Sequence, residues 1–100
     1  MKTGTIKIKK LGINDSTEQH PRYHAELLVD DVVSKSTCYV DLTDVVNLDH
    51  HLDISKILIY ELETDSKRSL NMSPENLQNI LYEMDNNEEK ILGVEFENRN

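Results

Sequence analysis

The chain has 100 residues, of which 19 are Asp or Glu and 11 are Lys or Arg, for a formal charge of −8 at neutral pH. That length fits one domain with one core, and the acid excess disfavours direct contact with nucleic-acid phosphates. Four tyrosines, one phenylalanine and no tryptophan leave few rings on which bases would stack, and Cys38, the single cysteine, excludes an intrachain disulfide.

A lone cysteine suits a reducing compartment, and no apolar run of signal-peptide or bilayer-spanning length follows the N-terminal lysines. The expectation is one cytoplasmic domain over residues 1–100, with no membrane span.

In chain order, Ile6 and Ile8 alternate with Lys7 and Lys9, the period of a strand with one wet face. The next apolar residues, Leu11 and Ile13, have the opposite parity, so either a bulge near Lys9–Lys10 or a strand end near Gly12 is required. Residues 14–22 are polar and contain Pro21, a loop composition. Tyr23, Ala25, Leu27 and Val29 then alternate with His24 and Glu26. After a turn at Asp30–Asp31 or Ser34–Lys35, Cys38, Val40 and Leu42 alternate with Thr37, Tyr39 and Asp41. A hairpin or meander over 23–42 follows.

Thr43 and Asp44 resemble a helix start, and Val45, Leu48 and Leu52 recur at helical spacing, which predicts a short helix over about 44–52. The run ISKILIYEL, 54–62, is apolar on both parities and reads as a strand covered on both faces. The best-marked element begins at Ser73. Ser73 is a good cap, Pro74 suits the first helical position, and Glu75 complements the helix dipole. Leu77, Ile80, Leu81 and Met84 form one stripe, and Asp85–Asn87 ends a helix of about 74–86. Leu92, Val94 and Phe96 then alternate with Gly93, Glu95 and Glu97 in a last strand, with Leu81 expected to meet Phe96 across a helix–sheet interface. The predicted class is α+β: a small, mostly antiparallel sheet of four to five strands, one well-marked helix and one short helix.

For chemistry, the stretch NLDHHLD, 47–53, invites a metal or acid–base reading. Adjacent histidines on a helix diverge by about 100° and do not converge on one ion. The favoured reading is two exposed or half-exposed side chains. His20 and His24 are four apart, but Pro21 and the alternation that follows place them on extended chain, about 13 Å from one another. Cys38 lies on the side assigned to the core, and adjacent Asp30 and Asp31 are explained by turn chemistry. No phosphate-binding glycine loop, CxxC pair or nucleophile elbow occurs. Neither a catalytic, a cofactor nor a metal site is assigned, and the chain is expected not to be an enzyme.

What remains is the distribution of charge. Residues 26–53 carry seven acids to one lysine, and residues 75–97 again seven to one. Small, acidic proteins without catalytic motifs, such as immunity proteins of nuclease toxins, antitoxins and phage-type anti-defence proteins, are similar in physical character, though not in sequence. That likeness implies an inhibitor that occludes the basic cleft of a nuclease or another nucleic-acid-binding protein. Asp30, Asp31, Asp41, Asp44, Asp49 and Asp53 are the expected partner-binding residues. The alternative is an adaptor subunit that pairs through an exposed edge strand, 5–9 or 91–96. A metal-assisted enzyme using His24, His50 and His51 stands third.

Overall fold

The computed structural model describes residues 2–11, 22–39 and 48–98. It is α+β. Five antiparallel strands and two helices follow the order β1 (Lys2–Leu11), β2 (Arg22–Val29), β3 (Val32–Tyr39), α1 (Leu48–Ser66), β4 (Arg68–Asn71), α2 (Pro74–Glu83) and β5 (Glu89–Asn98). Across the sheet the strands lie β3-β2-β1-β5-β4.

β1 is the centre of that sheet, and its alternation explains the placement. Ile6 and Ile8 are buried, and they pair with Leu27 and Ala25 of β2 on one side and with Leu92 and Lys90 of β5 on the other. The register is unbroken through Leu11, so the parity change at Leu11 marks the end of the strand and no bulge is present. This corrects the expectation that strand 5–9 offers a free edge, because both its edges are occupied. β5 lies between β1 and β4 and pairs with β4 over Glu95–Asn98. Among the described residues the free edges are therefore β3, β4 and the part of β5 before Glu95, so the edge expected at 91–96 is open over 91–94.

The hairpin turn is Asp30–Asp31, with φ of 50° and 64°. Two left-handed residues in a two-residue loop match the right-handed twist of the strands they join, and Asp tolerates that conformation better than most side chains. Ser34–Lys35 lies within β3, and the partners expected at Val40 and Leu42 fall outside the described residues. Asp31→Gly relieves one of the two left-handed side chains and one of two adjacent like charges. It should raise stability by about 0.5–1 kcal/mol, measured as a higher urea midpoint; a lower midpoint would contradict this turn geometry.

The largest correction concerns residues 48–66. The strand expected over 54–62 and the short helix expected over about 44–52 are replaced by one 19-residue helix, α1, with 44–47 outside the described residues. Its buried side chains are His51, Ile54, Ser55, Leu58, Ile59 and Leu62, a stripe at i, i+3, i+4, i+7, i+8 and i+11. Two members of that stripe are polar, while Ile57 and Tyr60 lie outside it and are exposed. The helical period is therefore masked in a hydrophobicity pattern. Ser55, fully buried, donates to the His51 carbonyl at 2.7 Å, which satisfies its hydroxyl inside the stripe.

α2 starts as expected. Ser73 Oγ accepts from the Glu75 and Asn76 amides, and the Ser73 hydroxyl donates to Glu75 Oε2 at 2.8 Å. That hydrogen bond, with one from its own backbone N–H, holds the Glu75 carboxyl below its usual range. The helix ends at Glu83, three residues before the expected boundary, and Asn87, with φ of 64°, serves a turn in which the Glu88 amide bonds the Asp85 carbonyl. Leu77, Leu81 and Met84 are buried. They share one core with Ile6, Tyr23, Leu58 and Phe96, although α2 packs chiefly on α1 rather than directly on the sheet. Cys38, opposite Tyr23 on the covered face, is partly buried against that core. Among the described residues no helix is long and apolar enough to cross a membrane.

Candidate functional site

The most ordered array of exposed charge lies on α1. Asp49, Asp53, Glu61 and Asp65 are all exposed and follow i, i+4 spacing, with Ile57 in the middle place; each step turns about 40° round the helix, so the row winds from Asp49 toward the β3 side at Glu61 and Asp65. At 1.5 Å per residue the row runs about 24 Å along the helix. Asp49 in the first turn also meets the positive end of the helix dipole.

Of the residues expected to bind a partner, Asp49 and Asp53 thus share one exposed face, one turn apart. Asp30 and Asp31 sit at the opposite end of the molecule, where Asp30 lies 3.8 Å from Arg68 just beyond the C-terminus of α1. They do not join Asp49 and Asp53 in one cluster. Asp41 and Asp44 lie outside the described residues. Glu61 and Asp65 were not among the expected residues, because 54–62 reads as a strand and strand geometry breaks their four-residue relation to Asp49 and Asp53. The spacing 49, 53, 57, 61, 65 is the signal that identifies them once the helix is recognised.

A shallow groove of about 660 Å³ runs beside this row, between α1 and the edge strand β3. Val33 and Lys35 form one wall, with Tyr60, Glu61 and Asp65 opposite and Lys67 at one end. Glu61 is partly committed, since the Ser36 hydroxyl donates to its carboxylate.

The histidines do not converge. His24 lies on the outer face of β2, with Nδ1 2.7 Å from Thr37 Oγ1 and Nε2 3.2 Å from Glu26 Oε1. His51 is on the other side of the sheet, 5% exposed, its ring edge-on to both Tyr23 and Tyr82. Its burial corrects the expectation of an exposed or half-exposed side chain: the longer α1 makes it the first member of the buried stripe. His50 is half-buried, and His20 lies outside the described residues. Among the described residues, no three of His, Cys, Asp or Glu stand close enough to share a metal ion.

Tyr23 links α1, α2 and the sheet. Its hydroxyl donates to the Leu81 carbonyl at 3.0 Å and lies 3.3 Å from His51 Nε2. Because the single phenolic proton is used on Leu81, Nε2 carries the proton that it donates to Tyr23. Lys10 lies beside them, its ammonium donating to the Met84 carbonyl at 3.2 Å. These bonds serve backbone carbonyls at the end of α2; their role is architectural.

No family model, curated protein or solved structure matches this chain.

Proposed function

We propose that the protein is a non-enzymatic binding protein that inhibits a basic partner, a nuclease or another nucleic-acid-binding protein, by placing carboxylates of α1 where phosphates would otherwise bind. Immunity proteins, antitoxins and phage-type anti-defence proteins are the kinds of inhibitor this describes. The observation that supports it is the exposed row on one rigid helix. Asp49 and Asp53 share its exposed N-terminal face, whereas Glu61 and Asp65 lie round the helix on the β3 side and Asp30 and Asp31 at the other end of the molecule.

Carboxylates held at fixed spacing on a helix lose little freedom on binding, and their summed field, reinforced by the net charge, draws a basic surface from beyond contact distance. Steering acts before docking, so the effect belongs mainly to the association rate. An adaptor that pairs through an edge strand is the second reading. Among the described residues it draws on the edge of β3 and on 91–94 of the last strand, which β4 does not cover, rather than on β1.

The test is to capture the partner from an extract of the cells that make the protein and to measure association kinetics against ionic strength. Binding should weaken as salt rises, because exposed charges are screened beyond about 8 Å at physiological ionic strength. Asp49→Lys with Asp53→Lys should slow association by about tenfold or more, while Glu95→Lys with Glu97→Lys on the outer sheet face should change it by less than about threefold. An acidic partner, or an affinity unchanged between low and high salt, would remove the inhibitor reading and favour strand pairing.

A further inference from the structure

We infer that two copies of this chain associate through their β3 strands, which pair antiparallel about a two-fold axis to make one continuous sheet. The inference goes beyond the proposed inhibitory role and does not depend on it.

It begins at the hairpin. A two-residue loop makes Val29 and Val32 the closing pair that exchanges both backbone bonds, so Leu27 with Ser34 and Ala25 with Ser36 do the same in turn. The N–H and C=O groups of Val33, Lys35 and Thr37 consequently point away from β2. Among the described residues no strand lies on that side. Edge strands are ordinarily blunted by shortness, proline, bulges or several charges. β3 has eight residues, an unbroken register and Lys35 as its one charge, and next to it Val33 is 45% and Tyr60 66% exposed.

Charge selects the occupant. The groove along this edge carries Lys35 and Lys67 against Glu61 and Asp65, a balanced set on a molecule of net charge −8. Two copies repel one another through most of their surface, and here they do not. A two-fold axis sets the same balanced groove against itself, as an isologous interface requires. A basic partner finds stronger attraction at Asp49 and Asp53, about 12–18 Å along α1 from Glu61, and the strand-paired dimer leaves both exposed.

Repulsion also selects the register. Outward-pointing residues must pair with outward-pointing residues, and Lys35 opposite Lys35 is disfavoured. With Ser36 on the axis, Lys35 lies opposite Thr37 of the second copy and the paired stretch covers 33–39.

Sedimentation velocity from about 1 μM to about 100 μM, the range over which a micromolar Kd titrates, tests this directly. Wild type and Thr37→Val should sediment as dimers at the upper concentration. Thr37→Pro removes an N–H that faces away from β2, so the hairpin ladder survives, and it should weaken dimerisation at least about tenfold. Tyr60→Lys, which unbalances the groove without touching a backbone bond, should weaken it comparably. Circular dichroism establishes folding, and should Thr37→Pro fail to fold, Tyr60→Lys decides alone. A wild type that stays monomeric at about 100 μM, or folded variants that associate as wild type does, would overturn the inference.

Discussion

Leu81→Ala is expected to lower the unfolding free energy by about 2–5 kcal/mol, the range for truncating a buried leucine. The side chain is fully buried in the core between the helices and the sheet. Its removal takes apolar area out of the core and leaves a cavity that a close-packed interior refills only in part. Domains of this size are stable by about 5–15 kcal/mol in all, so the variant loses a large share of its margin. Urea denaturation should show a lower midpoint with little change in slope. A loss below about 0.5 kcal/mol, the size of a surface substitution, would mean that α2 turns another face inward. The substitution leaves the backbone carbonyl that binds Tyr23 in place, which separates the packing effect from the hydrogen bond.

That the stripe Leu77, Ile80, Leu81 and Met84 is readable from the chain while the stripe of α1 is not has a physical cause. In α2 every buried position is apolar, and Ser73, Pro74 and Glu75 announce the start. In α1 the buried positions include His51 and Ser55, whose polar groups are satisfied inside, and exposed Ile57 and Tyr60 fill the complementary face. Period 3.6 is then blurred into a run that looks apolar on both parities. β-branched Ile54, Ile57 and Ile59 add to the resemblance to a strand, and tertiary packing overrides that preference.

The sheet divides in the same way. β2 and β5 carry clean alternation over most of their length, but the pattern leaves the turn open between Asp30–Asp31 and Ser34–Lys35, and the two left-handed residues at Asp30 and Asp31 decide it. β4 is four residues long with Leu70 as its buried side chain, too short for a period to show. Strand order is a further matter. Alternation says which face a residue takes but not which strand lies beside it, so the central place of β1 and the edge place of β3 among the described strands emerge only from the register. The candidate surface inherits these limits. Asp49 and Asp53 are visible as acids in any reading, whereas Glu61 and Asp65 join them only when one helix carries all four.

Tyr23→Phe probes the bond network under that core, and it should cost about 1–3 kcal/mol. The phenol is 1% exposed and bonded to Leu81 and His51, so losing its oxygen leaves the His51 N–H without this acceptor and the Leu81 carbonyl with one bond fewer. The loss should also change the response to alkali. Burial pushes the Tyr23 phenol from an ordinary 10.0 up to about 12, because a phenolate is poorly solvated there. Below pH 10 the phenol is protonated in the folded and unfolded chains alike, and its contribution is fully present. Between pH 10 and about 12 the unfolded chain gives up this proton while the folded chain keeps it. The unfolded state then binds fewer protons, so stability falls as pH rises, and the contribution is lost through the folded pKa. Tyr23→Phe removes that component while the other tyrosines and the lysines titrate as before. The stability difference between wild type and variant should therefore shrink from pH 9.5 to pH 11.5, followed by urea denaturation at each pH; a difference that stays constant or widens across that window would show that the Tyr23 phenol is not held in its neutral form by the fold.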